Sequence, residues 1–184
     1  MAIAGPSVEA VRPAHCVRCK SASRPVGQNL VVVGHGIRER QVLGVQAFGG
    51  RPLHRALICR RYRCLQCQCV MVVVPAGVFG CRRYTLLTIA LALVGVADGV
   101  AASRLRQQLS PFETFEEGWA SIRRWLRAVR VGKLFRWILG VSEQAGRALA
   151  QRVVTVLVAA AGRRPSACCQ QERVCEGVLL SCNK

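Results

Sequence analysis

The sequence predicts an α+β fold in which a small N-terminal β unit precedes a helical bundle. The N-terminal half holds short β-branched runs bounded by glycine and proline, a pattern typical of short strands. From Arg82 onward, apolar residues such as Leu86, Ile89 and Leu93 recur at helical spacing. The predicted segments are a flexible lead-in at 1–14, a β domain at 15–80, a helical domain at 82–161 and a disordered tail at 162–184.

Three runs predict the strands of the β unit. Leu30–Val33 is apolar and β-branched, and the following Gly34-His35-Gly36 predicts a turn. Leu57–Arg63 and Val70–Val74 flank a pair of cysteines, and Pro75 predicts the end of the last run. We expect a small sheet built around those cysteines.

The first predicted helix is Leu86–Ala97. Thirteen uncharged residues lie between Tyr84 and Asp98, whereas a membrane-spanning helix needs about 20 apolar residues. We therefore expect a buried core helix and no membrane partner.

Three further helices are predicted along the chain. Ala101–Leu109 ends before a Ser-Pro pair, and Thr114 with Glu117 forms a potential capping box for the next helix. Ser142–Ala161 carries an apolar stripe at helical spacing.

Charge is distributed very unevenly in this chain. It contains 27 Lys plus Arg against 9 Asp plus Glu, for a formal charge of +18, and all but three of the basic residues are arginine. A small and strongly basic protein is expected to meet a polyanion, and the arginine fork suits phosphate oxygens. Codon bias can raise an arginine count but does not explain the shortage of acids.

Two CxxC pairs, Cys16/Cys19 and Cys64/Cys67, are the most specific motif. The two-residue gap lets both thiolates of a pair reach one ion, and two pairs complete a tetrahedral sulfur site, which favours one structural zinc ion. The 44 residues between the pairs exceed the usual spacing of about 15–20, so a long hairpin or loop is expected between them. Cys69 is an alternative to Cys67 as the fourth ligand.

The first residues lack a basic segment followed by an apolar run, and the eleven cysteines are odd in number. Reduced thiols in the cytoplasm are therefore expected in place of a secreted disulfide framework.

The third predicted helix combines an apolar stripe with arginines. Trp119 and Trp125 lie six residues apart and could anchor the helix on a core, while the intervening arginines face outward. Three short helices with arginine on the third fit a helix-turn-helix, although an ordinary amphipathic helix with a solvated basic face fits equally well.

The order of these motifs resembles a transposase-associated bacterial family with a zinc-ribbon-like element followed by a helix-turn-helix. The likeness is carried by the first CxxC, by Gly34-His35-Gly36-Ile-Arg38-Glu-Arg40, by Arg61-Tyr62-Arg63 before the second CxxC, and by Arg124-Trp125. It covers about residues 14–130 and implies DNA binding linked to mobile elements. The candidate nucleic-acid-binding residues are the arginines of these motifs and of the third helix: Arg38, Arg40, Arg61, Arg63, Arg123, Arg124, Arg127 and Arg130.

Catalysis is not expected. The chain has one aspartate and eight glutamates without a spaced Asp-Asp-Glu set, and it has no phosphate-binding GxxxxGK[ST] loop and no HExxH motif. We expect a DNA-binding accessory, regulator or catalytically empty remnant of a mobile element, with double-stranded DNA as partner, no small-molecule substrate and a homodimer as an option. The alternative is a zinc-ribbon module that binds protein or RNA and self-associates through its C-terminal helices.

Overall fold

The computed structural model describes residues 6–75, 77–78, 82–112, 118–135 and 146–161. The strands are β1 Val32–Gly44, β2 Leu53–Cys64 and β3 Val70–Val73, and the helices are α1 Leu86–Ala97, α2 Ala102–Leu109, α3 Ala120–Arg130 and α4 Gly146–Ala161. This order confirms the α+β class. The predicted tail at 162–184 and the capping box at Thr114 and Glu117 lie outside the described residues.

The three strands form one antiparallel sheet in the order β1-β2-β3. In the β2–β3 pair, Tyr62 lies opposite Met71 and Arg63 lies opposite Val70. The long β1–β2 hairpin accounts for most of the 44 residues between the two CxxC pairs.

The turn expected at Gly34-His35-Gly36 does not form, because β1 continues through these residues to Gly44. Gly36 has a φ of +82°, a conformation that glycine adopts without steric cost. Glycine, which suggested a turn here, therefore allows β1 to continue through a residue whose backbone conformation is irregular for a strand.

The chain divides into two compact units. The first unit comprises Met1–Val42 and Arg55–Arg83, and the second comprises Leu43–His54 and Tyr84–Lys184. The tip of the β1–β2 hairpin thus belongs with the helices, which differs from the single boundary that the composition suggested near residue 81.

The first unit has a small core of its own. Val32, Tyr62 and Met71 are buried together with Cys16 and Cys64. The thiols of the two CxxC pairs therefore lie directly on the apolar core of this unit.

Residues 6–14, predicted as a flexible lead-in, pack against this core. Val8 and Val11 contact it, and the hydroxyl of Tyr62 donates a 2.6 Å hydrogen bond to the carbonyl of Val8. Arg12 donates to the carbonyl of Val32 and lies over the Tyr62 ring. The burial of the apolar side chains and these contacts to Tyr62 and Val32 offset the entropy of ordering the segment.

In the second unit α1 is the central helix. Most of its residues are buried, and α4 packs against it with Leu149, Val153 and Leu157 fully buried. This burial explains why the segment lacks charge. Among the described residues, no helix combines the length and the apolar character that a membrane span requires.

The hairpin tip is held to the start of α1 by buried hydroxyl groups. The Thr85 hydroxyl caps the helix by accepting from the Thr88 amide and also donates 2.6 Å to the Val45 carbonyl. The Val45 amide donates 2.8 Å to the Thr88 hydroxyl. These bonds satisfy polar groups that would otherwise be costly to bury.

Candidate metal centre and nucleic-acid interface

The four cysteines of the two CxxC pairs come together in the first unit. Cys16 Sγ lies 3.5 Å from Cys67 Sγ, and Cys19 Sγ lies 3.6 Å from Cys64 Sγ. All four sulfur atoms lie within 4.8 Å of one another. Sulfur atoms bound tetrahedrally at about 2.3 Å from one ion would be about 3.8 Å apart. The group could therefore hold a metal ion.

Each cysteine pair lies on its own backbone turn, and the two turns have the same geometry. The amide of Lys20 donates to the Cys16 carbonyl at 3.0 Å, and the amide of Gln68 donates to the Cys64 carbonyl at 2.9 Å. Lys20 and Gln68 have φ angles of +63° and +59°. Each CxxC thus forms a tight turn that ends on a left-handed residue and aims both thiols to one side.

A second matched hydrogen bond closes each turn. The amide of Cys16 donates to the Ser21 carbonyl, and the amide of Cys64 donates to the Cys69 carbonyl, both at 2.9 Å. The equivalence places Cys69 at the position of Ser21, just after the turn. Its thiol points to the Val70 carbonyl and lies outside the group of four, so Cys67 is the fourth member.

The surroundings of the sulfur atoms differ. The hydroxyl and the backbone amide of Ser21 lower the pKa of Cys19 to about 6, and the backbone amide of Cys19 is the main cause that lowers the pKa of Cys16. At Cys67 the backbone amide of Cys69 lowers the pKa, but burial and the neighbouring thiols outweigh it and raise the pKa to about 12. Four sulfur atoms this close carry four negative charges only when a cation lies among them.

The predicted arginines fall into two groups. Arg123, Arg124, Arg127 and Arg130 are all exposed on α3. The opposite face of α3 is buried, and Trp119 and Trp125 pack edge-to-face on each other and on Tyr84, with ring centroids 5.0 to 5.4 Å apart. The expected anchoring by two tryptophans is thus present.

The predicted arginines of the first unit lie on two neighbouring strands. Arg38 and Arg40 lie on β1, where Arg40 donates to the carbonyl of Arg82. Arg61 and Arg63 lie on β2, where Arg63 Nε donates 2.7 Å to the side chain of Gln68. Arg63 therefore supports the second cysteine turn as well as adding charge.

The connection between α1 and α2 was not singled out by the sequence reasoning. It has four residues, and its Gly99 has a φ of +82°. The Gly99 amide donates to the Val96 carbonyl at 3.1 Å and the Val100 amide to the Gly95 carbonyl at 2.8 Å, the paired bonds of a Schellman motif. In the sequence, this turn is indicated by the Asp98-Gly99 pair, which lies between two helical patterns.

The α1–α2 pair is closely packed and presents a polar face. A Cβ atom added to Gly95 would lie 2.2 Å from Cδ2 of Leu105, so any larger residue at this position would force the Leu105 side chain to move. Leu105 and Leu109 are buried, whereas Arg104, Gln107 and Gln108 are exposed.

No known family model matches this chain, and no curated protein or solved structure matches it either.

Proposed function

We propose that this protein binds double-stranded DNA and that one structural zinc ion stabilises its first unit. The observation that carries the DNA assignment is the α1–α2 pair with its short, glycine-containing connection. DNA-binding helix-turn-helix units join two helices through a three- or four-residue turn of this kind. In such units the second helix enters the major groove.

The exposed face of α2 has the chemistry needed to read bases. Arg104, Gln107 and Gln108 project from it together with Ser103. Arginine pairs with guanine, and glutamine pairs with adenine, through two hydrogen bonds in the major groove. We assign sequence reading to this helix.

The basic face of α3 is assigned to the phosphate backbone. Ten residues separate α2 from α3, more than a helix-turn-helix connection contains, and this spacing favours a backbone-contacting role for α3 over the reading role that its arginines suggested. Arg123, Arg124 and Arg127 are exposed on it, and such residues supply affinity without reading sequence.

The metal assignment to zinc rests on the donor set. Four thiolates in a closed group suit zinc and leave no position for a substrate. Metal analysis of the purified protein should find one zinc per chain. Cys16→Ser and Cys64→Ser should lose it, while Cys69→Ser serves as the matched control and should keep it. Loss of zinc only in the Cys69 variant would contradict the assignment.

The DNA assignment is tested by anisotropy titrations of labelled duplexes at several salt concentrations. Affinity should fall by about 0.9 log units per log unit of salt for each phosphate contact. After selection of a preferred site, Arg104→Ala and Gln107→Ala should lose preference for it, each by about 1–3 kcal/mol. Arg123→Ala and Arg127→Ala should weaken all duplexes alike. The absence of affinity at low salt would overturn the proposal.

The link to a mobile element is supported by the order of the motifs that resemble the transposase-associated family. A neighbouring reading frame with a spaced Asp-Asp-Glu set would support it, and its absence from several genomic copies would contradict it.

A protein-binding or RNA-binding module is the second candidate, favoured by one observation. Val17 and Leu65 occupy equivalent positions in the two cysteine turns, and the two residues are 63% and 50% exposed. Self-association through α4 is less supported, because the described apolar side of that helix is buried against α1. An oligomer in solution without DNA affinity would favour this candidate.

A further inference from the structure

A cavity of about 360 Å³ in the first unit is lined by four arginines. Arg38 and Arg40 come from β1, and Arg82 and Arg83 come from the segment that follows the sheet. The two segments are linked because Arg40 donates to the carbonyl of Arg82. This bond joins residues 42 positions apart in the chain and keeps the backbone of residue 82 beside β1.

The cavity carries excess positive charge. Its lining includes one carboxylate, that of Glu39, which leaves a formal charge of +3. The Glu39 carboxylate accepts a 2.9 Å hydrogen bond from the side chain of Gln41. In the described ranges, no ion pair neutralises the guanidinium groups of Arg38, Arg82 or Arg83.

Such an arrangement suits a phosphate group. Guanidinium groups donate paired hydrogen bonds to phosphate oxygens, and charge-assisted bonds of this kind are about twice as strong as neutral ones. Placing several guanidinium groups around one cavity before a ligand arrives reduces the ordering cost of binding.

We propose that this cavity binds a backbone phosphate of nucleic acid, so that the first unit contacts DNA directly. The inference rests on the proposed function and adds Arg82 and Arg83, which the sequence motifs did not single out. It also assigns to the metal-stabilised unit a binding role of its own, beyond structural support.

The experiment compares the wild-type protein with the double variant Arg38→Ala/Arg83→Ala. Both side chains are exposed, so the fold should be kept, which circular dichroism and metal content will verify. Binding to a labelled 20-base-pair duplex, measured by anisotropy, should lose about 2 units of slope in a plot of log affinity against log salt, since each contact contributes about 0.9. Arg51→Ala, an exposed arginine outside the cavity, is the matched control and should leave the slope within about half a unit.

The outcomes separate the two proposals. A wild-type protein without salt-dependent affinity for DNA would overturn both. A wild-type protein that binds while the double variant keeps its slope would overturn the cavity alone. The same holds if Arg51→Ala lowers the slope as much as the double variant does.

A second measurement needs no variant. Inorganic phosphate titrated into labelled wild-type protein should shift the side-chain Nε–H resonances of the cavity arginines, and the duplex should shift the same signals. Shifts with phosphate but not with duplex would make this a site for free phosphate and would overturn the DNA contact. Shifts with neither would overturn the site.

Discussion

Single residues in unusual backbone conformations shape both units. Lys20 and Gln68 follow the second cysteine of each pair with positive φ, a conformation that costs a residue with a Cβ atom about 1–2 kcal/mol. At both positions the sequence has a residue with a side chain, although glycine would adopt this conformation without strain. The Gln68 side chain recovers part of this cost, because it accepts from Arg63 and donates 2.7 Å to the Leu65 carbonyl.

Gly44, at the end of β1, is a glycine whose replacement should be disruptive. Its φ is +95°, and a Cβ atom there would lie 2.1 Å from Thr88 Oγ1, which is held by the Val45 amide. Gly49 also has a positive φ, +71°, but its Cβ position is open. Gly49→Ala should therefore cost about 1 kcal/mol from backbone strain, and Gly44→Ala about 1–3 kcal/mol more from the steric clash.

Urea unfolding followed by circular dichroism measures both variants. Equal losses in the free energy of unfolding would show that the Thr88 contact has no energetic consequence.

At the scale of elements, both α1 and α3 end in the same way. Gly99 and Gly132 have positive φ and follow the last helical turn, and the Lys133 amide donates 2.8 Å to the Ala128 carbonyl at the end of α3. These paired bonds satisfy carbonyls that a helix end leaves unbonded. The ends of both helices are thereby defined sharply by local backbone geometry.

The contact between α1 and α2 predicts how substitutions at Gly95 and Leu105 change the stability of the second unit. Gly95→Ala should lower the free energy of unfolding by about 1–3 kcal/mol, because its Cβ would meet the Leu105 side chain. Leu105→Ala should cost about 2–5 kcal/mol through a cavity. In the double variant the new methyl partly fills that cavity, so the combined loss should be smaller than the sum.

The double-mutant cycle, measured by chemical denaturation, should give a coupling energy of at least about 0.5 kcal/mol. Strict additivity would mean that the two residues do not constrain each other.

At the scale of the whole molecule, each unit has its own source of stability. The first unit has a small apolar core that includes Cys16 and Cys64, and small units commonly need a metal ion to fold. The second unit is built around the buried helix α1. Metal loss should therefore affect the two units differently.

If the proposed zinc ion stabilises the first unit, its removal with a chelator should unfold that unit and leave most helical structure of the second. Hydrogen exchange of backbone amides should show fast exchange at Tyr62 and Met71, and retained protection at Ile89 and Leu93. Readdition of zinc should restore protection. Simultaneous loss of protection in both units would contradict independent stabilisation.

What could be predicted from the sequence depended on how local each signal was. The bounds of α1 and the cysteine pairs follow from patterns within one turn or one helix. The strand through Gly34-His35-Gly36 could not be predicted, because ladder pairing with β2 overrides local turn preference. The arginine cavity joins residues about 42 positions apart, and no local pattern reports such a contact.

The length of the β1–β2 hairpin has a consequence for the order of assembly. The cysteine sulfurs that meet are 45 and 51 positions apart, so closure of that loop from an unfolded chain is entropically unfavourable and slow. Once the hairpin forms, the Leu65 amide donates 2.8 Å to the Val31 carbonyl, and only the short segment from Cys19 to Val31 remains to be closed. We expect the two strands to pair first. Binding of the proposed zinc ion then follows and stabilises the hairpin that has already formed.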